Sequence, residues 1–406
     1  MTGQLVQPRG SRSVCMLVSN DMVSDPRVAR HAEALGSHGF KVTVICPISN
    51  RTEPYEIKQG YEIIRPRSII LEKLSTELAE KWRAIYENNG HSTLKDRALT
   101  KILALATLLL TQLTLFGAAV SQRARIYCAN DLDTLPVTLL AAGLSRKVVY
   151  DSHELWPDMM LVPESVKAIV RAIEGLLIKQ TDIVMTVNEF LAEVLASRYS
   201  LKTPPQVVYN CPNASLPIRH REKRTAPKIA LYQGQFTRDR GLDKLLKATD
   251  YLLPDVRLVL RGFGIIEREL KALSVGRTNV QFEKPVNASK LVSAASEADI
   301  GIIPYLPTNL NNYLASPNKL FEYIQAGLPI AASNTPFMRK VILENDIGML
   351  FDSQDPRSIA NTLNSVTRED LLRRQRANLV SAAKKYNWET ESKKLLHAYE
   401  GLLSPS

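Results

Sequence analysis

Short apolar runs alternate with longer amphipathic segments along most of this chain. The runs have the length of single strands, and the segments between them repeat their apolar positions with the period of a helix. Strands that alternate with helices in this way are typical of parallel sheets with helices on both faces. The pattern therefore predicts an α/β protein. The apolar runs lie at residues 14–18, 41–46, 61–65, 126–128, 147–150, 183–187, 207–209, 228–232, 256–260, 280–285, 300–303 and 330–333.

The alternation is interrupted near residue 212. The turn-rich stretch Asn210-Cys211-Pro212-Asn213 is followed by a basic run at residues 219–224, and an apolar strand then begins again. A chain of 406 residues has room for two domains of about 150–200 residues each. We therefore predict one domain over residues 1–212 and a second over 213–387. The basic run is expected to be a solvated linker, and residues 1–12 a disordered tail.

Residues 102–120 form an uncharged apolar segment of the first domain. Its length suits a membrane span, but three threonines and a glutamine dilute it, and a strand follows it directly. A span here would place the two halves of one sheet on opposite sides of the membrane. We therefore predict a helix that packs on the sheet or lies in a membrane interface, with a fully buried helix as the alternative. The flanking basic residues, which an anionic lipid surface would attract, are Lys95, Arg97, Lys101, Arg123 and Arg125.

The formal net charge of +11 favours an anionic partner: nucleic acid, anionic lipid or a phosphorylated substrate. The chain has no zinc-knuckle, RGG or arginine-helix pattern, so we predict no nucleic-acid binding. Its cysteines are scattered and form no metal or disulfide pattern, which predicts a reducing compartment, and the three that lie in apolar strand-like runs are predicted to be buried thiols. The N-terminus lacks an apolar signal core, and the prediction is a cytoplasmic protein. The cysteines are Cys15, Cys46, Cys128 and Cys211.

The most informative stretch, SPNKLFEYIQAGLP at residues 316–329, predicts one helix with its own start and stop signals. Ser316 is a favourable N-cap, and Pro317 suits the first helical position, where a missing N–H costs nothing. Gly327 suits the position just after the helix, and Pro329 prevents continuation. An apolar strand precedes the helix, so its N-terminus is expected just beyond the carboxyl end of that strand, where open α/β sheets bind ligands.

One face of this helix carries Asn318, Lys319 and Glu322. A helix N-terminus binds anions through its free N–H groups, and Lys319 adds positive charge there. A carboxylate one turn along can accept hydrogen bonds from two neighbouring hydroxyl groups. One interpretation is therefore a site for the ribose and phosphates of a nucleotide; the other is an ordinary amphipathic helix with a Lys–Glu pair. In both, another side is expected to be buried: Leu320, Phe321 and Ile324.

A glycine-bounded turn with two arginines opens the second domain. It follows an apolar strand, precedes a helix, and reads Gly234-Gln235-Phe236-Thr237-Arg238-Asp239-Arg240-Gly241. Gly234 permits close approach of the backbone to a ligand, and the two arginines suit the oxygens of a diphosphate. The alternative is a pair of exposed arginines at a helix start.

A histidine follows the apolar run at 147–150 in the first domain. His153 is expected in a loop that faces a cleft, whereas a core histidine would lie within a strand or helix. Three carboxylates near it, Asp151, Glu154 and Asp158, are candidates to orient His153 or to accept a proton from a substrate. The residues alone do not choose among them.

The stretches at 228–243 and 299–333 resemble the signature of the retaining GT-B glycosyltransferases often called group 1, in its Ser-Pro-Asn-Lys sub-pattern. Residues 14–46 and 147–158 resemble the same family less closely. The resemblance implies that Glu322 binds the ribose of the donor and that His153 contacts the donor sugar. It also implies that Arg240, in the place of a family lysine, stabilises the leaving diphosphate together with Lys319.

Two positions depart from the family pattern. Leu314 stands where a glutamate usually contacts the donor sugar, and Gln235 stands where an arginine is usual. Arg238 is the candidate to replace that arginine. The candidates to replace the missing glutamate are Asn311, Asn312 and Tyr313.

The resemblance implies a GT-B architecture, in which two Rossmann-like domains face each other across a cleft and a terminal helix, here 388–403, returns to the first domain. It implies catalytic roles for His153, Arg240 and Lys319. The implied donor-binding residues are Gly234, Arg238, Gly241, Asn318 and Glu322, and the candidates on the acceptor side are Asn20, Arg27 and Glu154.

The implied reaction is transfer of a sugar from a nucleotide-diphosphate donor to a hydroxyl group, with retention and without a metal or cofactor. The expected partners are the donor, a glycan or lipid-linked acceptor from polysaccharide or glycoconjugate biosynthesis, and an anionic surface at the inner face of the membrane. Two alternatives stay open. One is a catalytically inactive GT-B scaffold at the membrane, for which Leu314 and Gln235 argue. The other is a nucleotide-sugar epimerase, which would need further acid and base residues.

Overall fold

A computed structural model of the chain describes residues 12–23, 25–87, 94–159, 162–215 and 227–404. The predicted basic linker at 219–224 and all but the last residue of the predicted tail lie outside these ranges. Within them, the chain forms two sheets flanked by helices, which confirms the predicted α/β class.

The first sheet has eight strands. They are β1 Ser13–Leu17, β2 Lys41–Ile45, β3 Tyr55–Lys58, β4 Tyr61–Ile64, β5 Ile126–Asn130, β6 Lys147–Ser152, β7 Ile183–Thr186 and β8 Gln206–Val207. Their order is β3-β4-β2-β1-β5-β6-β7-β8. β3 pairs antiparallel with β4, whereas β4, β2, β1, β5 and β6 pair in parallel. The direction of strand order reverses at β1, so the loops after β1 and β5 lie at a position where such sheets bind ligands.

Six helices accompany these strands. They are α1 Pro26–Ser37, α2 Ile69–Glu87, α3 Leu94–Gln122, α4 Leu135–Ala142, α5 Glu164–Leu177 and α6 Glu189–Tyr199. The sequence pattern predicted neither β3 nor α2, because residues 51–97 mix charged and apolar positions without a clear period. The buried core beside α3 joins residues of β1, β5 and the end of α3, including Leu17, Tyr127, Leu115 and Ala119.

The second sheet has six strands, all parallel, in the order β11-β10-β9-β12-β13-β14. They are β9 Lys228–Gln235, β10 Val256–Phe263, β11 Val280–Glu283, β12 Ile300–Ile303, β13 Ile330–Ser333 and β14 Gly348–Phe351. The strand order reverses between β9 and β12, which places the predicted ligand site at the carboxyl ends of these two strands.

The helices of this second half cover both faces of the sheet. They are α7 Leu242–Ala248, α8 Glu267–Leu273, α9 Leu291–Ala295, α10 Leu310–Leu314, α11 Asn318–Gln325, α12 Pro336–Glu344, α13 Pro356–Val366 and α14 Glu369–Lys385. A last helix, α15 Trp388–Gly401, follows them, and its residues from Leu395 onward cluster with the first half of the chain. Successive side chains of β9 point to opposite faces, so Leu231 packs with α11 and Tyr232 packs with α7 and α13. The short helix α10 was not predicted.

The chain divides into two compact units. One comprises Met1–His153, Ala172–Met185 and Leu395–Ser406, and the other Glu154–Arg171 and Thr186–Lys394, as far as their residues are described. These bounds assign residues 186–212 to the second unit, where Phe190 of α6 and Tyr209 pack against the core beside α11. The predicted domain bounds at 212 and 387 therefore differ from the compact units.

Candidate active site

The predicted helix at the informative stretch is present, but it begins later than predicted. α11 starts at Asn318, and Pro317 is the residue before it. The prediction of Ser316 as N-cap is wrong, because its hydroxyl donates to the carbonyl oxygen of Val187 at 3.3 Å. The predicted end is confirmed, since Gly327 adopts a φ of 70°. The predicted buried side is also confirmed: Leu320, Phe321 and Ile324 are fully buried.

Lys319 lies on the first turn of α11, buried against two aromatic rings. Its Nζ atom is 4.1 Å from the ring centre of Tyr232 and 4.9 Å from that of Tyr305. Only 7% of the residue is exposed. The structure records no hydrogen bond or ion pair of this ammonium within the described ranges. Burial, together with the charge of Arg240, holds the pKa of Lys319 well below its usual range.

Arg240 brings a second cation to the same ring. Its guanidinium carbon is 3.9 Å from the ring centre of Tyr305, and its Nη1 is 3.1 Å from Oδ2 of Asp239. Ring faces attract cations through their quadrupole but do not neutralise their charge. The structure thus brings together two of the predicted residues, Arg240 and Lys319, in an arrangement that a bound anion would stabilise.

The two glycines of the predicted turn are required by its geometry. Gly234 has a φ of 145°, and a Cβ atom there would lie 3.0 Å from Nζ of Lys319. Gly241 has a φ of 64°, and a Cβ atom would lie 2.3 Å from the carbonyl oxygen of Pro304. The turn therefore brings the backbone after β9 close to Lys319 and to the segment after β12, which side chains at these positions would prevent.

Arg238 does not join this cluster in the structure. Its Nη2 donates to Oε1 of Glu269 in α8 at 2.7 Å, and its side chain is 69% exposed. The two arginines of the turn therefore lie in different environments, although we predicted from the sequence that both would bind the diphosphate.

Glu322 lies one turn along α11 from Lys319. Nε2 of Gln233 in β9 donates to its Oε2 at 3.4 Å, and Oε1 of Gln233 accepts from Nη1 of Arg261 at 3.2 Å. Arg261 is itself paired with Glu283 of β11, with Nε donating to Oε2 at 2.8 Å. This line of polar groups across β9, β10 and β11 reaches the predicted ribose ligand. Gln233 and Arg261 were not predicted as site residues, and their signal in the sequence is a polar residue inside an apolar strand.

Asn318 and Glu154 are each held by an asparagine. Nδ2 of Asn210 donates to Oδ1 of Asn318 at 2.9 Å, and Nδ2 of Asn311 donates to Oε2 of Glu154 at 2.6 Å. Asn311 also accepts a hydrogen bond from the backbone N–H of Leu155 at 2.8 Å. The side chain of Asn311 is therefore engaged by the segment after His153.

The other residues around Leu314 are placed differently. Leu314 is buried, and its carbonyl oxygen accepts from Nδ2 of Asn188 at 2.9 Å. Asn312 donates to Thr308 at 2.9 Å, whereas Tyr313 is 43% exposed. The replacement of the family glutamate stays a prediction.

In the first unit, His153 lies between two carboxylates. Its Nε2 is 3.1 Å from Oδ2 of Asp151, its Nδ1 is 3.4 Å from Oδ2 of Asp131, and its backbone N–H donates to Oδ1 of Asp131 at 2.9 Å. Burial would lower the pKa of His153, but Asp131 and Asp151 outweigh it and raise the pKa to about 9. Of the carboxylates considered from sequence, Asp151 is therefore the one that contacts this ring.

Arg27 is buried beneath this histidine. Its Nε and Nη2 donate to Oδ2 and Oδ1 of Asp151 at 3.0 Å and 2.6 Å. His31, one turn further along α1, has Nδ1 at 3.3 Å from Oδ2 of Asp151. Burial would raise the pKa of Asp151, but Arg27 outweighs it and holds the pKa well below its usual range.

Asn20 and Asp25 form the start of α1. Oδ1 of Asp25 accepts from the backbone N–H of Val28 at 3.1 Å, so Asp25 is the predicted N-cap. Nδ2 of Asn20 donates to Oδ2 of Asp25 at 2.7 Å. Asn20 thus supports this cap in the loop after β1.

A cavity of about 300 Å³ lies on the second sheet, and two of its lining residues, Arg261 and Glu283, belong to the line of polar groups that reaches Glu322. Its polar lining includes Arg257, Arg261, Gln281, Glu283 and Glu297. Among the described residues, the structure shows no cluster of three or more His, Cys, Asp or Glu residues suited to a metal ion. All four cysteines are buried free thiols, which confirms the prediction for the three in apolar runs and adds Cys211.

The two parallel-sheet domains, with polar loops at the points where their strand order reverses, define a protein of the Rossmann-like α/β class. Matches to two protein-family models identify the type of enzyme. The model named Glycosyltransferase Family 4 matches residues 27–215, and the model named Glycosyl transferases group 1 matches residues 218–386. The chain is therefore a glycosyltransferase of the GT-B fold, with a family 4 domain followed by a group 1 domain.

Known proteins similar to this chain agree with that class. Phosphatidyl-myo-inositol mannosyltransferase of Mycobacterium leprae is 26% identical over 179 residues, which cover 43% of this chain and 46% of that relative. The chain thus matches less than half the length of this curated relative.

Solved structures show the fold over nearly the whole chain. Sucrose-phosphate synthase of Thermosynechococcus elongatus has a TM-score of 0.74 at 16% identity, and the match covers 97% of this chain and 100% of that chain. HepE of Anabaena in complex with UDP and glucose has a TM-score of 0.69 at 12% identity, and the match covers 96% of this chain and 100% of that chain.

Proposed function

We propose that this glycosyltransferase moves a sugar from a nucleotide-diphosphate donor to an acceptor hydroxyl group, with retention of configuration at the sugar carbon. The main observation that supports this proposal is a pair of cationic side chains. Arg240, which follows β9, and Lys319 both lie over the ring of Tyr305, which follows β12. Asp239 pairs with Arg240, but among the described residues no ion pair is recorded for the buried ammonium of Lys319, which is unfavourable until a further anion joins it. A diphosphate supplies that anion, with oxygens that match the guanidinium fork. The Anabaena neighbour was solved with UDP and glucose, which supports a donor of this class.

The proposed chemistry develops negative charge where these cations lie. The bond between the sugar carbon and the diphosphate oxygen breaks, and Arg240 and Lys319 stabilise the charge left on that oxygen. The acceptor hydroxyl attacks the same face of the sugar, and the leaving phosphate takes its proton. Because side chains supply the positive charge, the reaction needs no metal ion or cofactor. Transfer should therefore continue unchanged in excess EDTA, and a rate that only a divalent cation restores would overturn this part of the proposal.

The donor-binding residues follow from the same site. Glu322 accepts hydrogen bonds from the ribose diol, one turn along α11 from Lys319. Gly234 and Gly241 let the backbone after β9 approach the phosphates, and Asn318, held by Asn210, lies at the start of the helix.

On the acceptor side, Asn20 and Glu154 are the proposed contacts. Arg27 is buried against Asp151, so we assign it an indirect role through that carboxylate. His153 is the proposed contact to the donor sugar.

We further propose that the acceptor is lipid-linked and that α3 contacts an anionic membrane surface from the cytoplasmic side. Residues Ile102–Gln122 have the length and apolarity of a membrane-crossing helix. Only 17% of their most apolar 18-residue stretch is buried. Leu115 and Ala119 pack in the core, whereas an exposed stripe at three- and four-residue spacing carries Ile102, Leu105, Leu109 and Leu113.

Charge near this stripe supports the same surface. Arg123 and Arg125 are exposed at the end of α3 and would favour anionic headgroups. The side chains of Lys95, Arg97 and Lys101 lie outside the described ones. The name of the mycobacterial relative, a phosphatidyl-myo-inositol mannosyltransferase, supports a membrane-borne acceptor.

The donor proposal is tested by thermal shift with UDP, GDP, ADP and TDP and their sugars, on wild type and Glu322→Ala. A ligand that binds only the folded protein raises its apparent stability. A shift with one nucleotide family, reduced in Glu322→Ala, supports the site and identifies the base. Absence of a shift with every nucleotide, on folded protein, would overturn the proposal in favour of an inactive scaffold. Turnover of the donor without any acceptor, giving an epimeric sugar nucleotide, would instead support an epimerase.

A further inference from the structure

The two carboxylates that face His153 differ in how firmly they are held. Asp151 is fully buried and accepts both hydrogen bonds of the Arg27 fork, with His31 on the same oxygen as His153. Asp131 has a side chain that is 27% exposed. Moving Asp151 would leave a buried guanidinium without its partner, which is costly. The Oδ1 atom of Asp131 accepts the backbone N–H of His153 at 2.9 Å, so this carboxylate also stays in place, but its longer Oδ2 contact to the ring, 3.4 Å, can be exchanged for water or a ligand.

The two ring nitrogens of His153 are therefore unequal. Nε2 has the shorter contact, 3.1 Å, to the fixed carboxylate, and Nδ1 has the longer contact, 3.4 Å, to the exposed one. A substrate oxygen can replace Asp131 at Nδ1 while the ring stays anchored at Nε2. This is the geometry of a histidine that one carboxylate orients and that presents its other nitrogen.

We propose that Asp151 is a positioning residue, which anchors Nε2 of His153 so that the ring offers Nδ1–H, as a charged donor, to an oxygen of the sugar substrate. The inference rests on the proposed function for the identity of that substrate. In this arrangement Nδ1 of His153 faces the substrate, and Arg27 holds Asp151 in place. No bond forms or breaks at His153 in this role, because the ring only donates a hydrogen bond.

The charged and titratable groups around the ring determine its protonation. Asp131, Asp133 and Asp151 favour the imidazolium, and Arg27 opposes it. His31 stays neutral, because burial and Arg27 lower its pKa to about 3. The remaining titratable groups beside Asp151, Cys128 of β5 and Tyr399 of α15, also stay neutral because burial raises the pKa of both.

The sign of the pH dependence follows. Below a pH of about 9, His153 carries protons on both nitrogens and Nδ1 is a donor. Above it, the one remaining proton stays on Nε2, which faces the buried carboxylate, and Nδ1 becomes an acceptor. Donation to the substrate is then lost, so kcat/KM for transfer should fall as the pH rises through this value.

Nuclear magnetic resonance of protein labelled with ¹⁵N-histidine tests the anchor without any substrate, and His153→Gln assigns the signal. At pH 7, the wild type should show both ring nitrogens of His153 protonated, with deprotonation near pH 9 leaving the proton on Nε2. Asp151→Asn should move the midpoint down by at least one pH unit. Asp131→Asn should also lower the midpoint but preserve the Nε2–H form. A wild-type midpoint near 6.5, or a neutral form protonated on Nδ1, would overturn the inference.

Asp151→Asn leaves Arg27 buried without its carboxylate and can fail to fold. The double variant Arg27→Met, Asp151→Asn removes both buried charges and avoids this problem. The tautomer of neutral His153 is read from the titration of the wild type, so it depends on no variant. The pH profile of transfer then separates the two proposals. If His153 shows the expected titration and tautomer but the protein transfers no sugar, only the proposed function is overturned. If the protein transfers sugar but kcat/KM does not fall near pH 9, only the inference about His153 is overturned.

Discussion

The ammonium of Lys319 lies 4.1 Å from the ring centre of Tyr232, buried and beside a second cation. Burial disfavours the charged form of Lys319, Arg240 adds a like charge, and the two ring faces carry no net negative charge that would offset them. The site is therefore incomplete without an anion, and this incompleteness can be measured.

We expect nucleotide binding to be coupled to proton uptake at Lys319. In the free protein, burial and Arg240 hold the pKa of Lys319 well below its usual range. A bound diphosphate favours the ammonium and raises that pKa, so up to about one proton enters with the ligand and affinity falls as the pH rises between the two pKa values. Isothermal titration calorimetry in buffers of different ionisation enthalpy measures this uptake. Lys319→Met should abolish it, whereas the exposed Lys271→Met should not; a buffer-independent enthalpy in the wild type would contradict it.

The two arginines of the turn after β9 should contribute unequally. Arg240 contacts Tyr305, whereas Arg238 is exposed and paired with Glu269. Arg240→Ala removes a charge-assisted contact to the diphosphate and should weaken nucleotide binding about tenfold or more. Arg238→Ala, the matched control, should change the Kd by less than about threefold. Equal losses in the two variants would show instead that Arg238 leaves Glu269 to bind the ligand.

The role of Glu322 is testable with a modified ligand. If its carboxylate accepts hydrogen bonds from the ribose diol, the 2′-deoxy form of the preferred nucleotide should bind the wild type about tenfold or more weakly. In Glu322→Ala, the ribo and deoxy forms should bind alike, because the group that distinguishes them is gone. Fluorescence-based or calorimetric Kd values for the four combinations complete this cycle. A preference for the ribo form that survives in Glu322→Ala would assign the diol to another residue.

Introduced charges on α3 should release the protein from anionic membranes. Leu109 and Leu113 are 55% and 65% exposed, so Leu109→Asp with Leu113→Asp places carboxylates in the proposed interface without disturbing the core. Co-flotation with vesicles containing anionic phospholipid should fall several-fold. Val275→Asp, an exposed apolar position of the second unit, serves as control and should float like the wild type. Equal flotation of all three proteins would exclude α3 as the contact.

The turn after β9 should also be sensitive to a single methyl group. Gly241→Ala forces a Cβ atom to 2.3 Å from the carbonyl oxygen of Pro304 at a φ of 64°. We expect a loss of about 2–3 kcal/mol in the free energy of unfolding. Gly276→Ala also has a positive φ, 82°, but its Cβ atom meets open space, so about 1 kcal/mol is expected. Urea denaturation of both variants measures the difference, and equal losses would contradict a specific steric role at Gly241.

Local patterns were enough to predict the strand bounds and the helix end at the informative stretch. β12 and β13 were predicted at their observed bounds, and the buried side of α11 was predicted residue by residue. The N-cap was wrong, because the Ser316 hydroxyl finds its acceptor on Val187, far away in the chain. β3 and α2 were not predicted, because residues 51–97 mix charged and apolar positions and leave only a weak periodic signal outside β4.

The sequence by itself determined the α/β class and the residue types at the proposed donor site, Lys319, Glu322 and Arg240, because helix periodicity, caps and glycine turns are local. The tertiary structure alone decided their surroundings. It placed Tyr232 and Tyr305 against Lys319, turned Arg238 to Glu269, and paired Arg27 with Asp151 across 124 residues of chain. Such pairings depend on how parallel strands order in a sheet, and no local pattern of apolar and polar residues records that order.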